Sequence, residues 1–146
     1  MKKLLLIPLM CLGIMACGNT KSDNGKTTEE QPVNDHVEVL YFHSKQRCAT
    51  CIAIEKNTKE VIEEQFADEI RNGTLVFRSI DISENENREI AEKYEVTWSS
   101  LFVSRWKDGK EQYENLTEYA FANARTAPDT FKAGLAQKIK DLLEEQ

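Results

Sequence analysis

Two cysteines separated by two residues, Cys48 and Cys51, are the side chains of this sequence best suited to chemistry. Thiols at this spacing either cycle between dithiol and disulfide or bind a soft metal as thiolates. The segment before them predicts a strand, and the segment after them has helical periodicity. Because free N–H groups and the helix dipole stabilise a thiolate at a helix N-terminus, we expect Cys48 to be the nucleophile. Cys51, one turn further, is predicted to be less exposed and to act as the resolving thiol.

Charged residues before the pair are predicted to support its chemistry. Arg47 and Lys45 place positive charge beside Cys48, which favours the thiolate. His43 ends the predicted strand close to the loop, where an imidazole can move protons near neutral pH. The other interpretation of His43 is a strand-end residue without a direct part in the chemistry.

Four residues further along the chain are also candidates for supporting positions. Glu55 shares a helix face with Cys51 and is interpreted as an exposed helix glutamate. The alternative is that Glu55 acts as the acid near the thiols, in place of an acid that the first strand of this chain lacks. Trp98 is expected either to form the groove opposite the dithiol or to belong to the core. Ser99 and Ser100 follow it and are included among the candidates.

The first residues of the chain resemble a bacterial lipoprotein signal. Two lysines precede an apolar run over residues 4–16, which is shorter than the roughly 20 residues of a membrane span. Small Ala16 stands directly before Cys17, and polar residues follow at once. We therefore predict that residues 1–16 are removed and that Cys17 receives the lipid. A plain secretory signal is the alternative.

This assignment places the folded part outside the cytoplasm, anchored to a membrane of the bacterial cell envelope. Residues 17–35 are polar, have no apolar period and are predicted to form a flexible tether. The chain has four cysteines, of which Cys11 would be lost with the signal. Cys48 and Cys51 would then be the only free thiols of a single domain over residues 36–146.

The acidic composition excludes some classes of partner. The formal net charge of the chain is −6, and removal of the two N-terminal lysines lowers it to −8. An acidic surface argues against nucleic acid and against purely electrostatic binding to an anionic membrane, whereas a lipid anchor needs no such help. The predicted partners are the membrane, through Cys17, and a disulfide-bearing or redox partner protein. No cofactor and no resident metal are predicted.

The hydrophobic pattern predicts one α/β domain with the element order β-α-β-α-β-β-α. The strands are expected at residues 37–43, 74–81, 101–106 and 110–116, and the helices at residues 48–70, 84–94 and from Pro128 onward. Helices between the first three strands imply that these strands are parallel neighbours. The Asp-Gly pair at residues 107–110 predicts a hairpin turn and an antiparallel fourth strand. The expected result is a mixed four-stranded sheet flanked by helices.

Two helix boundaries are predicted from specific residues. Apolar and small side chains recur at helical spacing from Cys51 to Ile70, which predicts one continuous first helix. The Asn-Gly pair that follows ends it, because glycine suits the left-handed C-terminal turn. Ser83 is predicted to be the N-cap of the second helix, with Glu86 at the capping-box position.

Over most of residues 36–145 the chain resembles thioredoxin-like proteins, and its element order is that of the thioredoxin fold. The locally similar segments are residues 81–83, 90–96 and 107–110. More narrowly, residues 41–51 with Ile54-Glu55 resemble the thioredoxin-like nitrophenyl-compound nitroreductase subunits of arsenical-resistance operons. The resemblance implies a thiol–disulfide oxidoreductase. In the narrower case it implies a redox subunit of a membrane-associated nitro-compound reductase.

The chain departs from the thioredoxin pattern at two positions, and the first departure keeps a metal-binding alternative open. Thioredoxins carry a cis-proline opposite the CxxC, but residues 97–100 contain no proline. They also carry a buried acid on the first strand, where this chain has Tyr41 or Phe42. In thioredoxin-like proteins this proline helps to exclude metal from the thiols, and the resemblance therefore implies that its absence here leaves the thiols open to metal. Cu(I), trivalent arsenic, or an iron–sulfur cluster shared across a dimer are therefore alternative ligands.

Overall fold

The computed structural model describes residues 35–145 of the 146-residue chain. The predicted signal, the lipid attachment at Cys17 and the tether up to residue 34 lie outside the described residues. None of the helices in residues 35–145 is long and apolar enough to cross a bilayer. The elements, in chain order, are β1 (His36–His43), α1 (Ala49–Gln65), α2 (Ala67–Asn72), β2 (Leu75–Asp81), a 3-10 turn (Asn85–Asn87), α3 (Arg88–Lys93), β3 (Ser100–Lys107), β4 (Lys110–Asn115), α4 (Thr117–Asn123) and α5 (Pro128–Glu144).

The four strands form one mixed sheet in the order β2-β1-β3-β4. β1 pairs in parallel with β2 and antiparallel with β3, and β3 pairs antiparallel with β4. α1 and α5 pack together on one face of the sheet, and the end of α3 packs on the other. The predicted α/β class and the mixed four-stranded sheet of the thioredoxin-like fold are confirmed.

The prediction that the first three strands are parallel is wrong for β3. This strand runs antiparallel to β1, with Ser100 opposite Phe42 and Trp106 opposite His36. A parallel strand requires a connection that returns along the whole sheet, as the 17 residues of α1 do before β2. Between β2 and β3 the chain has a short 3-10 turn and the six residues of α3, about 9 Å of helix. β3 therefore starts at the end of the sheet where β2 stops.

The first helix is not continuous to Ile70, as was predicted. α1 ends at Gln65, Phe66 leaves the helical conformation with φ −132°, and α2 starts at Ala67. The break lets the Phe66 ring enter the core, whereas α2 has no buried residue and Ile70 is 40% exposed. Gly73 ends α2 with φ 81°, which confirms the predicted left-handed C-terminal turn.

Ser83 is not the N-cap of α3, which begins only at Arg88. The backbone N–H of Ser83 donates to the Asp81 carboxylate at 2.9 Å, and its hydroxyl donates to the same oxygen. The serine is therefore held in a turn at the end of β2. Asn87 takes the cap position, without a side-chain hydrogen bond to the helix.

The chain enters the domain beside the β3–β4 turn. The Asp35 carboxylate accepts a hydrogen bond from the backbone N–H of Asp108 at 3.0 Å. Asp108 and Gly109 have φ values of 51° and 72°, which confirms the hairpin turn predicted from this pair. β1 then runs from this end of the domain to the opposite end, where the two cysteines follow it.

A close contact between two helices completes the core on the α1 and α5 side. Gly134 of α5 lies against the ring of Tyr119 from α4, whose hydroxyl donates to the carbonyl of Thr130 at 2.6 Å. A Cβ atom at position 134 would lie 2.7 Å from the ring carbon that bears this hydroxyl. A side chain at this position would therefore require the tyrosine to move.

We predict that Gly134→Ala lowers the free energy of unfolding. Overpacking against Tyr119 costs about 1–3 kcal/mol, which exceeds the gain of about 1 kcal/mol that alanine brings to a helix. Urea denaturation followed by circular dichroism measures the difference. In a Tyr119→Phe background the loss should be smaller, because the hydroxyl that blocks the methyl group is absent. An equal loss in both backgrounds would show that this contact is not the cause.

Candidate functional site

Cys48 is the N-cap residue of α1, and it forms a disulfide with Cys51. Their Cα atoms are 5.1 Å apart, and the backbone N–H of Cys51 donates to the Cys48 sulfur at 3.1 Å. Cys48 is exposed, whereas Cys51 is only 7% exposed. These exposures agree with the expectation for the two thiols. Their roles as nucleophile and resolving thiol stay predictions.

A buried tyrosine fixes the first turn of α1 on the sheet. Tyr41 of β1 is completely buried, donates its hydroxyl to the carbonyl of Cys51 at 2.8 Å, and interacts with the side chain of Ser99. Phe42 belongs to the cluster on the opposite face, so Tyr41 occupies the position where a buried acid was sought. Burial raises the pKa of Tyr41, although the hydrogen bond with Ser99 acts against this. The hydroxyl therefore stays protonated near neutral pH and accepts no proton from a thiol.

The positive charge predicted before the pair is largely neutralised. One guanidinium nitrogen of Arg47 donates to the carboxylate of Glu55 on α1, and the other lies 2.5 Å from Nε2 of His43. Lys45 pairs with Glu84 at 2.9 Å. Each cation thus faces a carboxylate, which weakens the field that either exerts on a nearby thiol. The N-terminus of α1, which Cys48 caps, remains available to stabilise a thiolate.

Glu55 is not the exposed helix glutamate that was expected. Its side chain is 13% exposed and is held by Arg47, by the Lys59 ammonium at 2.9 Å and by the Ser79 hydroxyl at 2.8 Å. Partial burial disfavours the charged carboxylate. The hydrogen bonds from Lys59 and Ser79 and the charge of Arg47 outweigh it and lower the pKa of Glu55 to about 2. A carboxylate with so low a pKa is a poor proton acceptor near neutral pH, and the replacement of the missing acid by Glu55 stays a prediction.

His43 is buried at the end of β1, and both of its ring nitrogens face polar groups. Nδ1 lies 3.2 Å from the carbonyl of Ser44, and Nε2 faces the Arg47 guanidinium. A carbonyl only accepts and a guanidinium only donates, so these contacts select the neutral tautomer with its proton on Nδ1. His43 thereby helps to hold Arg47. Its role in proton transfer stays a prediction.

Of the candidates at residues 98–100, Ser99 interacts with Tyr41, the residue that is bonded to the Cys51 carbonyl. Trp98 is 56% exposed and contacts Phe121 with ring centroids 5.2 Å apart, so it does not belong to the core. Ser99 is buried and meets the hydroxyl of Tyr41 behind the cysteines. Ser100 is also buried, but its hydroxyl donates to the carbonyl of Trp98 at 3.1 Å and so serves its own loop. The place of Trp98 in a groove stays a prediction.

Three contributions to the site were missed at the level of sequence: the Tyr41 hydroxyl, Ser79 and Lys59. The spacing of Lys59, four residues after Glu55, is that of a helical ion pair and could have identified it. Strand alternation places Tyr41 under α1 but says nothing about the partner of its hydroxyl. Ser79 gives no signal, because its contact with Glu55 depends on how α1 packs beside β2.

The structure offers few ligands for the metal-binding alternative. Within residues 35–145, no three histidine, cysteine, aspartate or glutamate side chains are grouped so that they could hold a metal ion. A soft ion at Cys48 and Cys51 would therefore use these two sulfurs and take its remaining ligands from elsewhere, such as a second copy of the chain. This alternative depends on the dithiol alone.

Comparison with known proteins yields structural neighbours. No protein-family model matches the chain, and no curated protein matches its sequence. Fasciola hepatica thioredoxin is 23% identical, with 73% of this chain and 81% of that chain covered and a TM-score of 0.46. Mitochondrial thioredoxin 3 from Saccharomyces cerevisiae is 20% identical, with 75% and 82% covered and a TM-score of 0.45. A thioredoxin from Thermus thermophilus is 17% identical, with 73% and 72% covered and a TM-score of 0.46.

These neighbours are thioredoxins, so they do not bear on the narrower resemblance to nitroreductase subunits, which stays a prediction. The assignment of a thioredoxin-like fold rests on the strand order, the strand directions and the connections.

We predict that Glu55→Gln makes the stability of the protein less dependent on pH. The folded-state pKa of Glu55 is about 2, below its ordinary value of 4.5. Its stabilising effect is therefore complete above about pH 5 and is lost as the pH falls towards 2. Wild-type protein should lose about 2 kcal/mol more than the variant between pH 7 and pH 3. Urea denaturation at the two pH values measures this difference.

Glu63→Gln is the matched control, because Glu63 is an exposed glutamate on the same helix. This variant should follow the wild-type protein at both pH values. If Glu55→Gln also followed the wild type, Glu55 would not be the group that titrates.

Proposed function

We propose that this protein is a thiol–disulfide oxidoreductase with Cys48 and Cys51 as its redox pair. The observation that carries the proposal is the placement of the two sulfurs. An exposed cysteine caps α1 and is bonded to a buried cysteine one turn further, in a thioredoxin-like fold. A partner can reach the exposed sulfur, whereas the buried sulfur is accessible mainly from within the molecule.

In the reducing direction, the reaction starts from the dithiol. The Cys48 thiolate attacks one sulfur of a partner disulfide, the partner's S–S bond breaks, and its other sulfur leaves as a thiolate. The Cys51 thiolate then attacks the Cys48 sulfur of this mixed disulfide. The partner departs with two reduced sulfurs, and the protein retains the Cys48–Cys51 disulfide, so two electrons have passed to the partner. The reverse sequence oxidises a partner dithiol, and the two reduction potentials set the direction.

Backbone groups are the proposed source of thiolate stabilisation. The N–H of Cys51 already donates to the Cys48 sulfur, and the other unpaired N–H groups of the first turn of α1 lie at the same end. Arg47 contributes less charge, because it is held by Glu55 and His43. Its proposed role is to keep the loop before Cys48 in place.

A lipid anchor at Cys17 is the second part of the proposal. Its support is the sequence, in which the apolar run over residues 4–16 ends at a small residue directly before a cysteine. An anchored protein would work outside the cytoplasm, in the bacterial cell envelope, where protein disulfides persist. Exported proteins that carry disulfides are therefore the proposed partners.

We expect Cys48→Ser to lower the reduction of insulin disulfides, measured as turbidity, to the rate of dithiothreitol alone. The variant lacks the sulfur that attacks the substrate. Cys51→Ser, reduced and then freed of dithiothreitol before insulin is added, should instead accumulate a mixed disulfide with the substrate, visible on a non-reducing gel, because no second thiol in the protein resolves it.

Thr50→Ser is the matched control, since it changes the spacer between the cysteines but keeps both sulfurs. It should retain insulin reduction. Near-ultraviolet circular dichroism verifies that each variant is folded. Normal turnover by folded Cys48→Ser would exclude Cys48 as the nucleophile.

The lipid anchor predicts that Cys17→Ala abolishes the incorporation of radiolabelled palmitate in bacterial cells and releases the protein from the membrane fraction. Cys11→Ala is the control, because Cys11 lies within the predicted signal and should not be needed for lipid attachment. Palmitate labelling that persists in Cys17→Ala would refute the anchor and leave the redox proposal untouched.

A further inference from the structure

A cleft of about 380 Å³ lies beside the loop that carries Trp98. Its walls come from the segment after α3, from the start of β3 and from the junction of β4 and α4. This volume is near the lower limit for small-ligand pockets and can hold one large side chain. The cleft is separate from the disulfide, and neither cysteine lines it.

Aromatic rings form part of the wall of the cleft. Tyr94 and Phe102 are nearly completely buried, and their ring centroids are 5.1 Å apart. Trp98 is more than half exposed, although Phe121 supports it. An exposed indole that another ring holds in place offers a π face to a ligand, and this face attracts cations.

Two carboxylates in the cleft lack an ionic partner. Glu95 and Glu118 line it and are exposed, and neither side chain makes a hydrogen bond or an ion pair within the described part of the chain. The nearby Glu111, in contrast, is engaged by Lys93 at 2.5 Å and by the Tyr94 hydroxyl. Unpaired negative charge beside an aromatic face is complementary to a cationic ligand.

The cleft lies at the same end of the sheet as the disulfide. Ser100, which lines the cleft, starts β3 opposite Phe42, near the point where β1 leads into the cysteine loop. Ser99, next to Trp98, meets the Tyr41 hydroxyl that is bonded to Cys51. A molecule that inserts a side chain into the cleft therefore also lies at the end of the domain where the disulfide is located.

We propose that this cleft binds an arginine side chain of the partner protein. The planar guanidinium stacks on the Trp98 indole, and its N–H groups donate to the carboxylates of Glu95 and Glu118. Lysine fits less well, because its ammonium is compact, strongly hydrated and without a planar face. Binding itself needs no redox step. The identification of the occupant as part of a redox partner rests on the proposed function.

Peptides without cysteine test the binding alone. The chain has two tryptophans, so Trp106→Phe leaves Trp98 as the only one, and its fluorescence reports on the cleft. The probe is the capped tripeptide Gly-Arg-Gly, and the control peptide has citrulline, which has nearly the same shape but no charge, in place of arginine. We expect the arginine peptide to bind about fivefold more tightly. Calorimetry on the unaltered protein repeats the comparison, and equal affinities or no binding of either peptide would overturn the proposal.

Charge variants locate the binding. Glu95→Gln and Glu118→Gln should each weaken the arginine peptide about threefold at low salt and reduce its advantage over the citrulline peptide. Glu89→Gln is the matched control, because Glu89 is an exposed glutamate of α3 outside the cleft. The affinity of the Glu89→Gln variant for the arginine peptide should equal that of the unaltered protein. An equal loss in Glu89→Gln would assign the effect to general surface charge and overturn the proposal.

A kinetic measurement separates this proposal from the redox function. Two disulfide-linked peptides, with arginine or with citrulline beside the cysteine, are offered to the dithiol form of the protein, which dithiothreitol regenerates after each turnover; the rate with dithiothreitol alone is subtracted. We expect a lower KM for the arginine peptide and a smaller difference in Glu118→Gln. If both peptides are reduced with the same KM, the arginine proposal fails and the redox function stands. If neither is reduced but the cysteine-free arginine peptide still binds as expected, the redox function fails and the binding site stands.

Discussion

The Tyr41 hydroxyl requires a hydrogen-bond partner, because the side chain is completely buried within the fold. It finds one in the carbonyl of Cys51, and this bond fixes the first turn of α1 on β1. The turn determines which sulfur is exposed and which is buried. The same side chain interacts with Ser99, so the loop before β3 lies close to the same turn. Tyr41 on β1 therefore interacts with two segments that are far apart in sequence, α1 and the loop before β3.

The charged side chains near the disulfide bind one another. Arg47 joins the cysteine loop to α1 through Glu55, and Glu55 in turn contacts Ser79 at the edge of the sheet. These pairs stabilise the loop and weaken the field that Arg47 exerts on a thiolate. In the proposed function, backbone N–H groups stabilise the Cys48 thiolate, and the N–H of Cys51 lies within hydrogen-bond distance of that sulfur. Because a short-range bond is screened less by salt than the field of a surface cation, the reactivity of such a site should change little with ionic strength.

The element order, the Asp-Gly hairpin and the dithiol at a helix start could be predicted because they follow from local patterns. The direction of β3 could not, since it depends on how far the short connection after β2 can reach. The break at Phe66 depends on the space that the core offers to one ring. Glu55 was misjudged for a similar reason. A glutamate in a helix is usually exposed, and only the packing of the helix beside β2 brings Ser79 to it.

The entry point of the chain determines how the disulfide can be approached. Asp35 is fixed beside the β3–β4 turn, and β1 runs from there for eight residues, about 25 Å, to the end of the domain where the disulfide lies. The point at which the N-terminal residues join the domain therefore lies a full strand length from Cys48. Within residues 35–145, Cys48 is exposed at the end of the domain opposite this junction, so a partner can approach the disulfide from the side away from the chain's entry point.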